Sequence, residues 1–187
     1  MIIIGITGTF GAGKGTIVDF LVEKKGFAHF SVRSFLLEEI RKRGLPENRD
    51  SMYNLANELR SIYGPSYITD QLYEKAAHSR KNAVIESIRT PGEITSLRDK
   101  CNFYLFAVNA DPVIRYERII TRQSETDQIP FATFLENEAR EMDTMDPNKQ
   151  NIRSCIADAD FLFENNGSKE ELIRQVENIL QIIDRMK

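Results

Sequence analysis

Residues 8–16 read "GTFGAGKGT", just after a short apolar run at 2–6. Four glycines and one lysine fall within nine residues at a join between a strand pattern and a helix pattern. Gly8, Gly13 and Lys14 meet the spacing G-x-x-x-x-G-K, in the strand-to-helix context this pattern requires. Glycine allows the backbone positive φ and close approach, so successive N–H groups can line a concave nest. The helix that follows points its positive end at the same spot. Such a nest suits phosphate oxygens. The candidate phosphate-binding residues are therefore Gly8, Gly11, Ala12, Gly13, Lys14, Gly15 and Thr16, with Lys14 reaching the β- and γ-phosphates of a nucleotide. The residue after the lysine is Gly15, and the hydroxyl arrives one place later at Thr16. Thr16 is thus a ligand either for Mg²⁺ or for a phosphate.

Outward from this loop, the run at 2–6 is short, continuous and apolar, as in a strand buried on both faces. Further strands are expected at 27–31, 82–87, 102–109 and 160–164. Helices are expected at 14–24, 33–43, 51–62, 66–79 and 131–143, with a short one before residue 160. Another begins at Asp111-Pro112, where Asp caps and proline suits the first turn. Ser168 and Glu171 form a capping-box pattern for a last helix. Its Leu172, Ile173, Val176, Ile179, Leu180 and Ile183 recur at helical spacing. Five apolar strands alternating with helices predict an α/β fold: a five-stranded parallel sheet with helices on both faces. Ligands of such sheets bind beyond the carboxyl ends of the strands.

The chain has 187 residues, enough for one domain with a sizeable core. It is 41% hydrophobic and 28% charged, with 25 basic and 28 acidic residues. A net charge of −3 argues against bulk electrostatic binding to nucleic acid or an anionic membrane. A bound anion must be held by local arrangement. Cys101 and Cys155 lie far apart without metal-ligand spacing and read as reduced thiols of a cytoplasmic protein. No apolar run approaches the roughly 20 residues of a membrane span, and the N-terminus lacks a signal-peptide pattern.

Beyond the loop, Glu86 ends the strand "AVIE" and is the best carboxylate for organising Mg²⁺. Arg89 follows in "ESIRTPGE" and suits bidentate binding of an acceptor phosphate, against a plain ion pair with Glu86 or Glu93. Arg115, Arg118 and Arg122 are spaced to share one helix face. Arg118 and Arg122 read as charge-neutralising groups for phosphoryl transfer, and Arg115 stands between a functional and a structural role. Glu117 and Glu125 are the alternative counter-charges for this set. Arg140 either closes over the site or pairs with Glu136. His29 and His78 read as structural.

The loop "GTFGAGKGT", the element "VIESIR", the helix "RYERIITR" and the closing "ADADFLFENNGSKEEL" resemble P-loop nucleotide kinases, in particular the adenylate kinase and dephospho-CoA kinase-like group. "LANELRSIYGPSYI", 55–68, also looks like a segment of small kinase-like proteins. The resemblance spans nearly the whole chain. It implies a single P-loop kinase domain over 1–187, with an acceptor-binding helical region at about 32–80 and a lid-like region at about 122–150. It implies ATP bound by residues 8–16, with Asn165, Asn166 and Gly167 beside the adenine. It places Glu86 at the Mg²⁺ acid, Arg89 at the acceptor phosphate, and Arg118 and Arg122 at the lid entrance. Arg33, Arg49, Arg60 and Tyr67 fall in the acceptor region. Relatives usually carry an Asp after the second strand, where "SVRSFLLEE" has Ser34. That substitution favours an already ionised phosphate acceptor over a hydroxyl acceptor, which benefits from a base, and equally fits weakened catalysis. Two readings follow: an ATP-dependent phosphotransferase with a small nucleotide acceptor (or, as the runner-up, a hydroxyl acceptor), and a nucleotide-binding sensor module.

Overall fold

Every residue of β1 (Ile2–Gly8) is buried. The reason is pairing on both sides, parallel to β3 (Ala83–Glu86) and to β4 (Asn102–Asn109). β2 (Ala28–Ser31) adds to β3 and β5 (Phe161–Glu164) to β4, also in parallel. The sheet order is β2-β3-β1-β4-β5. β1 and β4 are neighbours whose onward connections leave in opposite directions, which opens a crevice at their carboxyl ends. The computed structural model describes residues 1–122 and 128–186. Glu125 and most of the polar stretch at 123–129 lie outside them.

Alternate residues of the strands face opposite layers. Ile3, Ala83, Ile85, Phe103 and Leu105 are buried against one cluster of helices. These are α2 (Val32–Lys42), α3 (Arg49–Tyr63), α4 (Tyr67–Ser79), α5 (Pro91–Lys100) and α8 (Ile152–Ala157). Ile2, Ile4, Ile6, Val84, Phe106, Val108 and Phe163 pack on the other face, under α1 (Lys14–Lys25) and α9 (Lys169–Arg185). The helices α6 (Pro112–Thr121) and α7 (Phe131–Met142) stand at the carboxyl edge of the sheet. The five parallel strands and the helices on both faces match the sequence reading, with boundaries moved by at most two residues.

The sequence reading assigned no element to residues 91–100, which form α5. The signal was present: Thr90 and Glu93 make a reciprocal capping box, and Pro91 stands in the first turn. Gly92 masked it, and that glycine is required by packing, since a Cβ there would run into Pro65. Among the described residues, no helix is long and apolar enough to cross a membrane.

Candidate active site

The glycine loop has the backbone its composition predicts. Gly8, Gly11 and Gly13 have φ of 134°, 80° and 107°. Gly13 is the N-cap of α1, and a Cβ on it would collide with the Asn165 side chain. That amide donates to the Ala12 carbonyl at 2.8 Å, while the Asn165 backbone N–H donates to Asn109 O at 2.8 Å. Asn165 therefore braces the loop from the end of β5. Its side chain is buried in this brace, and the residue also borders the hollow at the turn after β5. Gly167, in the exposed turn that follows, borders a shallow hollow together with Asn166 and Asn178.

Lys14 folds back over the loop, donating to Gly8 O at 3.0 Å and Thr9 O at 2.8 Å. Burial, reinforced by Arg89, lowers its pKa to about 7. Glu141 and Glu86 oppose that shift, so both carboxylates share the neighbourhood of the ammonium. The loop and Lys14 form one wall of a cleft of roughly 720 Å³.

Glu86 lines the same cleft at the end of β3. It accepts from Ser31 Oγ at 2.7 Å and lies 3.3 Å from His29 Nε2. Burial opposes its charged form, but the His29 and Ser31 contacts and Lys14 hold its pKa below the ordinary carboxylate value. His29, read as structural, is thus a direct neighbour of this acid. Two positions separate it from Ser31 along β2, so both sit on one face of the strand.

The arginines divide differently from their spacing. Arg115 is buried and structural: it donates to Ala110 O at 2.7 Å and Phe10 O at 3.2 Å and pairs with Glu138. Its burial removes it from a shared solvent face. Arg118 donates to Asn165 O at 2.9 Å and Gly167 O at 3.1 Å, tying α6 to the turn after β5. Arg122 lies 5.9 Å from the Phe10 ring, and both Arg118 and Arg122 line the cleft. Arg140 pairs with Asp50 at 3.1 Å and lies 4.4 Å from the Tyr53 ring, not with Glu136.

Arg33, Arg49 and Arg89 also line the cleft. Arg89 pairs with neither Glu86 nor Glu93 through its side chain. The buried Glu141 of α7 takes it, and Glu141 also accepts from Arg49 Nη2 at 2.6 Å. The Arg89 backbone is fixed from both sides, its N–H on Glu93 at 2.7 Å and its carbonyl on Asn151 N–H at 2.8 Å. Ser87 in the same loop has φ 68°, a conformation held by these neighbours. Arg60 is fully buried against Glu93 and so serves the frame, although its Nη1 has no hydrogen-bond partner. Buried Arg49 Nε and Gln150 Oε1 are likewise unpaired, and all three residues line the cleft. Tyr67 stacks on Tyr63 at 4.5 Å and packs into the core, away from the cleft. Ser34 is exposed in the first turn of α2 and does not line the cleft. Glu141 escaped the sequence reading. Its signal is position: Phe134, Glu138 and Glu141 share one stripe of α7, so two acids occupy an inward-facing row.

A parallel sheet of this order, a glycine cradle at the carboxyl end of its central strand and a cation-lined cleft define the P-loop kinase fold. The same fold occurs in a gluconokinase from Sinorhizobium meliloti (13% identity, TM-score 0.61, covering 98% of this chain and 94% of that one). It also occurs in a shikimate kinase from Bacteroides thetaiotaomicron (14% identity, TM-score 0.57, covering 96% and 98%). Residues 4–146 match the model of a family described as AAA domain. A UPF0200 protein of Methanocaldococcus jannaschii is 31% identical over 186 residues, covering 98% of this chain and 91% of the relative. One of Thermococcus kodakarensis is 30% identical over the full length of both. The chain belongs to the UPF0200 family of P-loop proteins.

Proposed function

We propose that this protein is an ATP-dependent phosphotransferase that moves the γ-phosphoryl of Mg·ATP to a small nucleotide acceptor carrying a phosphate. The observation that carries this reading is the lining of one cleft: a phosphate cradle with Lys14, together with the guanidiniums of Arg33, Arg49 and Arg89. The cradle suits a donor triphosphate, and the added guanidiniums suit an anionic acceptor. Backbone N–H groups of residues 8–16 and Lys14 hold the donor phosphates, and the turn at 165–167 borders the base. Glu86 and Thr16 both line the cleft and fit a Mg²⁺ ion, which takes few protein ligands and keeps phosphate and water oxygens. Bound there, Mg²⁺ would neutralise charge on the β- and γ-oxygens. An acceptor phosphate oxygen attacks the γ-phosphorus in line, and the bond to the β–γ bridging oxygen breaks, its electron pair leaving with ADP. Arg118 and Arg122 neutralise the transferred group, and Arg89 holds the acceptor. Ser34 supplies no carboxylate and does not line the cleft, and an ionised phosphate acceptor needs no base at that position.

The acidic net charge supports a small-molecule partner over nucleic acid or a membrane, and the unpaired thiols Cys101 and Cys155 support a reducing, cytoplasmic setting. The test is phosphoryl transfer from Mg·ATP to nucleoside monophosphates, nucleosides and dephospho-CoA, with Lys14→Ala as control. Lys14-dependent turnover of a monophosphate supports the reading, and turnover of dephospho-CoA or a nucleoside alone moves the acceptor to a hydroxyl. Tight ATP binding without transfer to any of them leaves the sensor reading in its place.

A further inference from the structure

Glu141 is a buried carboxylate inside a cleft whose lining also includes Arg33, Arg49, Arg89, Arg118 and Arg122, with Asp19 and Glu86 as the other acids. It reaches in from the carboxyl end of α7 and bridges Arg49 of α3 to Arg89 of the β3–α5 loop. Lys14 of α1 also feels the Glu141 carboxylate. Arg49 is held on its second side by Phe10, whose ring lies 4.3 Å from the guanidinium. Two guanidiniums with one carboxylate between them have the layout of an anion seat. Burial works against the charged form of Glu141, yet Arg89 and Arg49 hold it ionised, with its pKa below the ordinary value.

We propose that Glu141 is a specificity-determining residue: its carboxylate occupies the Arg49–Arg89 seat and admits only an acceptor carrying a dianionic phosphate monoester. This rests on the phosphotransferase reading and narrows its substrate class. The incoming group must supply at least what Glu141 gives up, two charge-assisted contacts from one carboxylate. A neutral hydroxyl offers no charge, and a monoanion only matches the resident group, so neither gains by exchange. A phosphate dianion brings more charge and three oxygens to the same two guanidiniums. The unpaired buried Arg49 Nε is an additional donor already in place. Glu141, once displaced, leaves the seat as an anion and moves toward solvent with the end of α7.

The test uses the full chain saturated with Mg²⁺ and a non-hydrolysable ATP analogue, so the glycine loop is filled. Methyl phosphate is then titrated calorimetrically into the native protein and into Glu141→Gln at pH 5 and pH 8. A phosphate monoester is mostly monoanionic at the lower pH and dianionic at the higher. The native protein should bind at pH 8 and at least tenfold more weakly at pH 5. Glu141→Gln, nearly isosteric, should bind at least tenfold more tightly than native at pH 8 and lose most of the pH dependence. Equal or weaker binding by Glu141→Gln overturns the proposal, because the carboxylate then serves to position the arginines. Absence of binding by both proteins overturns it as well. Should Glu141→Gln not fold, the native protein decides alone: equal affinity at the two pH values overturns the charge threshold. These are binding readouts, so a failure of the phosphotransferase reading is separate and appears as absent transfer despite a functional seat.

Discussion

Replacing Glu93 by Ala tests what holds the Arg89 loop in shape. Glu93 and Arg60 are both fully buried, with Arg60 donating through Nη2 at 2.9 Å and Nε at 3.3 Å. The second carboxylate oxygen accepts from the backbone N–H of Arg89 at 2.7 Å and of Thr90 at 3.0 Å. Truncation therefore strands a buried guanidinium and two backbone donors and breaks the capping box of α5. Removing one partner of a buried pair costs about 3–5 kcal/mol. At roughly 2–4 °C per kcal/mol for a protein of this size, the melting temperature should fall by about 6–20 °C. Urea denaturation and calorimetry read the loss. The cycle with Arg60→Met and Arg60→Met/Glu93→Ala completes the test, since the double variant leaves no lone buried charge. It should be more stable than the sum of the single losses implies. A loss below about 1 kcal/mol for Glu93→Ala, the level of an exposed pair such as Lys25–Glu177, would refute the reasoning.

Lys14 titrates near 7 in the empty cleft, and a bound phosphate raises that value. Nucleotide affinity should be level below pH 7 and fall about tenfold per unit above it until the bound-state pKa is reached. Binding at pH 8 should take up close to one proton, measured by calorimetry in buffers of different ionisation enthalpy, and Lys14→Arg should remove that uptake. Gly13→Ala combines a positive φ with a collision against the Asn165 amide. It should cost roughly 1–3 kcal/mol of stability and abolish nucleotide binding by the same calorimetry. Arg118→Ala frees the turn at 165–167 from α6 and should weaken nucleotide binding about tenfold or more while shifting the melting temperature by only a few degrees.

The sheet was readable because continuous apolar runs have one outcome in a parallel sheet, burial on both faces, and β1 obeys it at every position. The glycine loop was readable because spacing, lysine and strand-to-helix context depend on local backbone alone. Long-range contacts were not readable. Arg115 and Arg118 have identical side chains three residues apart, yet one is a buried strut and the other a cleft residue. Only the position of Glu138, Phe10 and the turn at 165–167 separates them. The pairing of Arg89 with Glu141 joins residues 52 apart and leaves no local pattern. Asn165 looked like part of a base-facing turn, because its sequence neighbours are turn residues, while its amide reaches 153 residues back to Ala12.

That last contact bears on when the protein first becomes competent. A ribosome that has made residues 1–110 has produced the entire glycine loop, together with the strands that flank β1 on both sides. The brace at Ala12 and the clasp through Arg118 still await residues 165–167. Closing so long a span is slow relative to local helix formation, so the loop emerges early but acquires its final shape among the last events. A nascent chain halted before β5 should hold a folded sheet centre and no nucleotide. Ligand capture thus reports the arrival of residues 165–167 at the loop, which makes a bound nucleotide a timer for that late folding step.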